Sequence, residues 1–160
     1  MLKKIIFITG ANSFLAQSVA EILSKRGYLI YGCCRNPNLI TKFSSFKKIL
    51  PYSILNLPLS LIPKEIDILL HFEGHSSVLK SYEYSKTLKS YNLQIIKKIE
   101  KIAIQFSEGL HIIFPSSAAV YGQKKNSNLK ETSELKPISP YGINKAYFEN
   151  SLRTFCVNNS

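Results

Sequence analysis

Lys4-Ile5-Ile6-Phe7-Ile8-Thr9-Gly10-Ala11-Asn12-Ser13-Phe14-Leu15-Ala16 stands at the start of the chain. Ile5 to Ile8 are β-branched and aromatic, as in a strand buried on both faces, so a first strand is predicted over about Lys3 to Thr9. Beyond Gly10, the apolar residues Phe14, Leu15, Val19, Ile22 and Leu23 recur at helical spacing up to Gly27, a C-terminal stop. Ser13 is placed to cap the first turn of that helix. A buried strand, a glycine turn and a capped helix in direct succession begin a parallel α/β sheet.

The same alternation continues outward from this stretch. Tyr28 to Cys34 reads as a second strand, Lys48 to Tyr52 as a weaker third, and Ile66 to Phe72 as a fourth. Leu57 to Pro63 is a short proline-bounded turn or helix. One long helix is predicted over about Tyr82 to Phe106, with Leu88, Asn92, Ile95, Ile99, Ile102 and Phe106 on one stripe. Leu110 to Pro115 is a fifth strand, Gln123 to Ser139 a polar loop, and a last helix starts near Tyr141.

A length of 160 residues suits one domain with a real core, and a hydrophobic content of 45% excludes a disordered chain. Twenty-one Lys and Arg against ten Asp and Glu give a net charge of +11. The lysines fall in scattered pairs, Lys3-Lys4, Lys47-Lys48, Lys97-Lys98 and Lys124-Lys125, without a basic-aromatic ladder. They read as a solvated surface, not as a nucleic-acid or membrane face. Cys33, Cys34 and Cys156 have neither metal-ligand spacing nor a disulfide framework, so no metal is expected and the thiols read as free in a reducing compartment. The apolar run after Met1-Leu2-Lys3-Lys4 is too short for a signal peptide, and no run is long enough to span a membrane. A cytoplasmic location is expected.

Two downstream segments carry chemistry. Ser116-Ser117-Ala118-Ala119-Val120-Tyr121-Gly122 follows the fifth strand, and Tyr141-Gly142-Ile143-Asn144-Lys145 opens a helix after Pro140. Tyr141 and Lys145, four residues apart, share one helix face. A cation beside a phenol favours the phenolate, and Ser117 could hydrogen-bond the same reacting oxygen. Such a set moves a proton on and off an alcohol while a hydride leaves or arrives at its carbon. Ser116 reads as a structural turn residue, Tyr121 as a packing residue or one at the mouth of the site, and His71 as a packed core histidine.

With the N-terminal stretch, these segments resemble the extended short-chain dehydrogenase/reductase family, the NAD-dependent epimerase/dehydratase group that modifies nucleotide-sugars. Its first loop runs Thr-Gly-x-x-Gly-Phe-Leu/Ile-Gly, with glycines that let backbone approach a pyrophosphate at a helix N-terminus. Here Gly10 is kept, while Ser13 and Ala16 replace the second and third glycines. The resemblance covers Met1 to about Phe155. It implies a Rossmann-like doubly wound parallel sheet with Ser117, Tyr141 and Lys145 catalytic. Gly10, Asn12, Ser13, Phe14, Leu15, Arg35, Asn56, Leu57, Phe72, Asn92, Tyr141 and Lys145 would contact the cofactor, Asn92 supporting Lys145 through water. It also implies a nucleotide-sugar partner and a homodimer through the long helix and the Tyr-x-x-x-Lys helix. Family members continue well past this last helix. The expectation is therefore an incomplete dinucleotide-binding domain over 1–160, truncated before the last strands, with the C-terminal substrate domain absent.

Where the chain departs from the family pattern, the departures refine the expectation. Sugar-nucleotide 4,6-dehydratases carry Thr-Asp-Glu where this chain has Ser117-Ala118-Ala119, and alanines cannot exchange protons. A 4-epimerase or 4-keto-reductase is expected instead. The alternative is a truncated, non-catalytic dinucleotide-binding remnant. Arg35 follows the second strand, and no Asp or Glu lies between Gly27 and Leu50. An arginine there suits the 2′-phosphate of NADP, so NADP is favoured over NAD. Asn56 stands where the family has an aspartate at the adenine. Glu73 replaces a small residue after the fourth strand, where a carboxylate repels phosphates unless it points away.

Overall fold

The computed structural model of the protein describes residues 4–75, 77–106, 109–123 and 128–159. The chain divides into two compact units, Met1–Gly74 with Lys98–Pro115, and His75–Lys97 with Ser116–Ser160.

The first unit carries the strands β1 (Ile5–Thr9), β2 (Leu29–Cys33), β3 (Lys48–Leu50), β4 (Ile68–His71) and β5 (His111–Ile113). They form one parallel sheet in the order β3-β2-β1-β4-β5. Thr9 pairs with Cys33 on one side and with His71 on the other, so three central strands end level. At the opposite end, the Asp67 carboxylate accepts from the Ile5 amide at 2.6 Å, and the Asp67 amide donates back to the Ile5 carbonyl at 2.9 Å.

The order reverses at β1. The chain passes from β1 to β2 through α1 (Phe14–Lys25) and, in the opposite direction, from β4 to β5 through α3 (Ser85–Gln105). Right-handed crossovers then place α1 and the part of α3 in this unit on opposite faces, which is the doubly wound arrangement. Ile6, Ile8, Ile30 and Leu70 cluster with Ala16 and Ala20 of α1. Strand alternation turns Phe7 and Leu69 to the other face, and both are fully buried.

The face that α1 buries differs from the expected stripe. Val19 and Leu23 do pack on the core, but the closest-packed positions are Ala16 and Ala20. Phe14 is 88% exposed and Ile22 is 53% exposed. A helix lying close on a sheet selects small side chains at its contact line, and alanine adds little to an apolar periodicity. Gly27 adopts φ +87° just past the helix, as a C-terminal stop requires.

In the second unit are α2 (Val78–Glu83), the first part of α3, a 3-10 turn over Ala118–Tyr121 and α4 (Pro140–Asn158). The long helix predicted over about Tyr82 to Phe106 is α3, which begins at Ser85, while Tyr82 and Glu83 end the separate α2. Ser77 caps α2 by accepting from the Lys80 amide at 3.2 Å, and Tyr84 leaves the helical region with φ −117° and ψ 26°. No glycine or proline marks that break. Ser139 caps α4 through the Gly142 amide at 3.0 Å. Both α2 and the 3-10 turn pack on α4. Of the polar loop expected over Gln123 to Ser139, residues 124–127, including the Lys124-Lys125 pair, lie outside the described residues, as does Lys3. No helix among the described residues is long and apolar enough to cross a membrane.

The burial pattern separates two isoleucines that look alike in sequence. Ile8→Ala, at 0% exposure, is expected to cost about 2–5 kcal/mol of unfolding free energy. Ile22→Ala, on the outer side of α1, is expected to stay within about 0.5 kcal/mol. Urea denaturation of the two variants beside the parent chain measures both.

Candidate active site

In the first unit, a cleft opens at the level ends of β1, β2 and β4. Gly10, Asn12, Ser13, Cys34, Arg35, Phe72, Glu73 and Gly74 line it. Its volume of about 110 Å³ is well below the roughly 300–1,000 Å³ that encloses a drug-sized ligand, so it could hold part of a dinucleotide. Gly10 adopts φ +66°, and a Cβ there would lie 2.7 Å from the Glu73 amide nitrogen. Any side chain would therefore push the β1 turn off the end of β4. The Ser13 amide closes the turn on the Gly10 carbonyl at 2.9 Å, and its hydroxyl caps α1 by accepting from the Ala16 amide at 3.2 Å. The N-terminus of α1, with its positive dipole end, thus stands at the cleft. Ala16 is fully buried against the sheet, so a methyl group is tolerated where the family pattern has its third glycine.

Three polar residues that sequence reasoning had not singled out for this role shape the same region. Gln17 donates to the Asn12 carbonyl at 3.1 Å and accepts from the Thr41 amide at 2.7 Å, tying the loop after β1 to the loop after β2. The Glu73 carboxylate accepts from the Ile54 amide at 2.8 Å. Lys98 donates to the Leu57 carbonyl at 2.6 Å, and burial lowers the pKa of its ammonium. Burial also pushes the Cys33 and Cys34 thiols up, and the Glu73 charge acts in the same sense. The contacts to Thr41, Ile54 and Leu57 link residues at least 19 apart in sequence, so no local pattern announces them.

Ser117, Tyr141, Lys145 and Asn92 of α3 all belong to the second unit. Ser117 caps the 3-10 turn, its hydroxyl accepting from the Ala119 amide at 3.2 Å. A Cβ on Gly142 would lie 2.5 Å from the Ala119 carbonyl oxygen, so only glycine lets this turn lie against the first turn of α4. The Tyr141 amide donates to the hydroxyl of buried Ser81 on α2 at 3.1 Å. The Lys145 ammonium lies 5.9 Å from the centroid of the Tyr141 ring. Burial lowers the Lys145 pKa, and the negative charge of Glu149 one turn on opposes that shift. Glu149 also accepts a hydrogen bond from the Ser116 hydroxyl, in keeping with a structural role for Ser116. The spacing 141, 145, 149 was a signal for Glu149, since three residues four apart share a face.

The remaining expected positions fall as follows. Gly10, Asn12, Ser13, Arg35 and Phe72 line the cleft, while Phe14 and Leu15 are exposed on the first turn of α1. Asn56 is exposed, and the Leu57 side chain is buried at 1%, which leaves its backbone as the group able to meet a ligand. Asn92 is half-buried. His71 is a packed core residue, its Nδ1 2.7 Å from the Thr9 hydroxyl and its ring stacked near Phe114. Among the described residues, no three His, Cys, Asp or Glu side chains group as metal ligands.

Comparison with known proteins agrees with this architecture. A UDP-glucose 4-epimerase of Streptococcus mutans is 31% identical over 90 residues, covering 56% of this chain and 26% of that protein. An uncharacterized UDP-glucose epimerase of Bacillus subtilis is 24% identical over 153 residues, covering 88% of this chain and 48% of its own length. The chain thus spans about a quarter to a half of these relatives. The crystal structure of a UDP-glucuronic acid 4-epimerase from Bacillus cereus, in complex with UDP-glucuronic acid and NAD, superposes with a TM-score of 0.84. It is 23% identical, over 97% of this chain and 53% of that one, a likeness of fold. The family model for the NAD dependent epimerase/dehydratase family matches residues 6–159, and the chain belongs to that family.

Proposed function

We propose that residues 1–160 form the dinucleotide-binding and proton-transfer part of a nucleotide-sugar 4-epimerase or 4-keto-reductase. The observation that carries this reading is the single helix face bearing Tyr141, Lys145 and Glu149, with the Ser117 turn lying against its start. The cleft beside Gly10 fits the phosphates of a dinucleotide in kind: a helix N-terminus, an arginine at the wall, and a carboxylate occupied by the Ile54 amide. When bound, the nicotinamide supplies the hydride acceptor or donor.

The protein's own groups handle the proton. The Tyr141 oxygen takes the proton from the sugar hydroxyl in the oxidative direction and returns it to the keto oxygen in the reductive one. Ser117 holds that sugar oxygen by a hydrogen bond. The Lys145 ammonium stabilises the negative charge that Tyr141 develops. The negative charge of Glu149 favours the protonated form of Lys145 and so opposes, in part, the effect of burial. Ala118 and Ala119 carry no acid or base, so the elimination step of a 4,6-dehydratase has no proton carrier in this turn.

The UDP-sugars named for the relatives make a UDP-sugar the first substrate to try. For the cofactor, Arg35 at the cleft supports NADP over NAD, and an NADP preference favours the reductase, which consumes its cofactor.

Calorimetric titration is expected to show tighter binding of NADPH than of NADH. Arg35→Ala should abolish that preference, a loss of about tenfold for NADPH alone. Equal affinities untouched by Arg35→Ala would remove the NADP assignment. A folded chain that binds neither would favour the non-catalytic reading.

Tyr141→Phe is expected to lower kcat by at least about 10²-fold with dinucleotide affinity retained. Full turnover by this variant would eliminate the proton-transfer scheme. Because burial lowers the Lys145 pKa, the alkaline limb of the pH–rate profile should lie below the roughly 10.4 of free lysine. Glu149→Gln removes the opposing charge and should move that limb further down, which a kcat measurement across pH 7 to 11 reads.

A further inference from the structure

Gln17 lies on the inner side of α1, 8% exposed, and uses both ends of its amide. Its Nε2 donates to the Asn12 carbonyl at 3.1 Å and to the Leu39 carbonyl at 3.5 Å. Its Oε1 accepts from the Thr41 amide at 2.7 Å, from the Thr41 hydroxyl at 3.1 Å and from the Lys42 amide at 3.3 Å. One buried side chain thus spends its donors and its acceptor on two loops. Those loops carry Asn12 and Arg35, which both line the cleft. Arg35 is exposed and stands between two fixed points. On one side, the Cys34 amide donates to the Leu50 carbonyl at 3.1 Å and holds the end of β2. On the other, Asn36 caps the 3-10 turn Pro37–Leu39, and Ile40 is buried in the core that Ala16 and Ala20 share. Gln17 is the buried polar tie at that second point, while Glu21, one turn further along α1, pairs with Lys42 nearer the surface.

We infer that Gln17 is a specificity-positioning residue: it fixes the loop that carries Arg35 against the loop that carries Asn12, and so sets how strongly Arg35 distinguishes a dinucleotide with a 2′-phosphate from one without. An arginine side chain has many rotamers of its own, and a mobile backbone beneath it would spread the guanidinium further. A backbone fixed before the ligand arrives removes part of the ordering cost of binding. Gln17 is not among the residues that line the cleft, so it acts through the two loops and not on the ligand. The inference rests on the dinucleotide reading and the NADP preference proposed above, and adds to them the residue that holds the discriminating side chain in place.

The test is a double-mutant cycle on cofactor preference, read as the ratio of the NADH and NADPH Kd values by calorimetry. Q17M keeps the length of the side chain and removes all its hydrogen bonds. It is expected to cut the preference for NADPH by about fivefold in the parent background and to leave the ratio unchanged in R35A. A role in general stability would not move the ratio, and still less make that movement depend on Arg35. Limited trypsin digestion of the ligand-free chain reads the tie without any cofactor, because trypsin cuts after Arg35 and Lys42. Cleavage there should be several-fold faster in Q17M, and close to the parent rate in Q17E, whose carboxylate still accepts from the Thr41 and Lys42 amides. A preference untouched by Q17M, a shift of the same size with and without Arg35, or unchanged cleavage in Q17M overturns the inference while leaving the dinucleotide reading intact. A folded parent chain that binds the two cofactors equally overturns the NADP preference and this inference together, and one that binds neither overturns the dinucleotide reading as well. Thermal melting identifies the folded variants. Should Q17M not fold, T41A, which takes one hydroxyl donor from Gln17 and no backbone group, is read in its place, with a smaller shift in the same direction expected and no shift overturning the inference.

Discussion

Gly10 sets the closest backbone approach in the first unit. A side chain there would collide with the Glu73 backbone, and its φ of +66° is one that other residues adopt at a cost. Because the turn can lie against the end of β4, α1 starts at the cleft and its N-terminal amides face it. The same contact fixes Glu73, whose carboxylate reaches Ile54, and so the position of the next loop follows from the first. One missing Cβ thereby aligns three separate loops around a common space.

The second unit repeats the device with different parts. Gly142 lets the Ala119 carbonyl approach the first turn of α4, and Gly122, at φ +67°, lets its strand of chain pass the Lys136 carbonyl. The short turn that ends at Gly122 starts from Ser117, and the helix that contains Gly142 holds Tyr141 and Lys145. Ser117, Tyr141 and Lys145 are thus set on a capped helix and a short tight turn, the kind of support that fixes side chains more firmly than open loops do. Burial of Lys145 and the charge of Glu149 pull in opposite directions, which leaves its ammonium tuned by two neighbours instead of by solvent.

What the sequence made legible follows from where the information is stored. Runs such as Ile5 to Ile8 and Ile68 to Leu70 announce buried strands because local composition alone decides them. Ser13, Ser139 and Gly27 announce helix ends for the same reason. The inner face of α1 was misread because Ala16 and Ala20, which make the contact, carry less hydrophobic weight than Phe14 and Ile22, which do not. The break at Tyr84 had no glycine or proline to mark it. Gln17, Glu73 and Lys98 act through backbone groups of residues 19 or more positions away, or across loops, so only tertiary structure reveals them. The Glu73 departure was visible in sequence, whereas its contact with the Ile54 amide was not.

The cysteines give the protein an unplanned property. Cys33 and Cys34 lie under the cleft, buried and held as neutral thiols, while Cys156 is exposed near the end of α4. The thiolate is the reactive form, so a maleimide meets one available sulfur on the folded chain and two more once the first unit opens. The chain thus carries its own reporter of opening: a fast label on one unit, and on the other a pair of sulfurs whose modification rate counts how often the sheet comes apart.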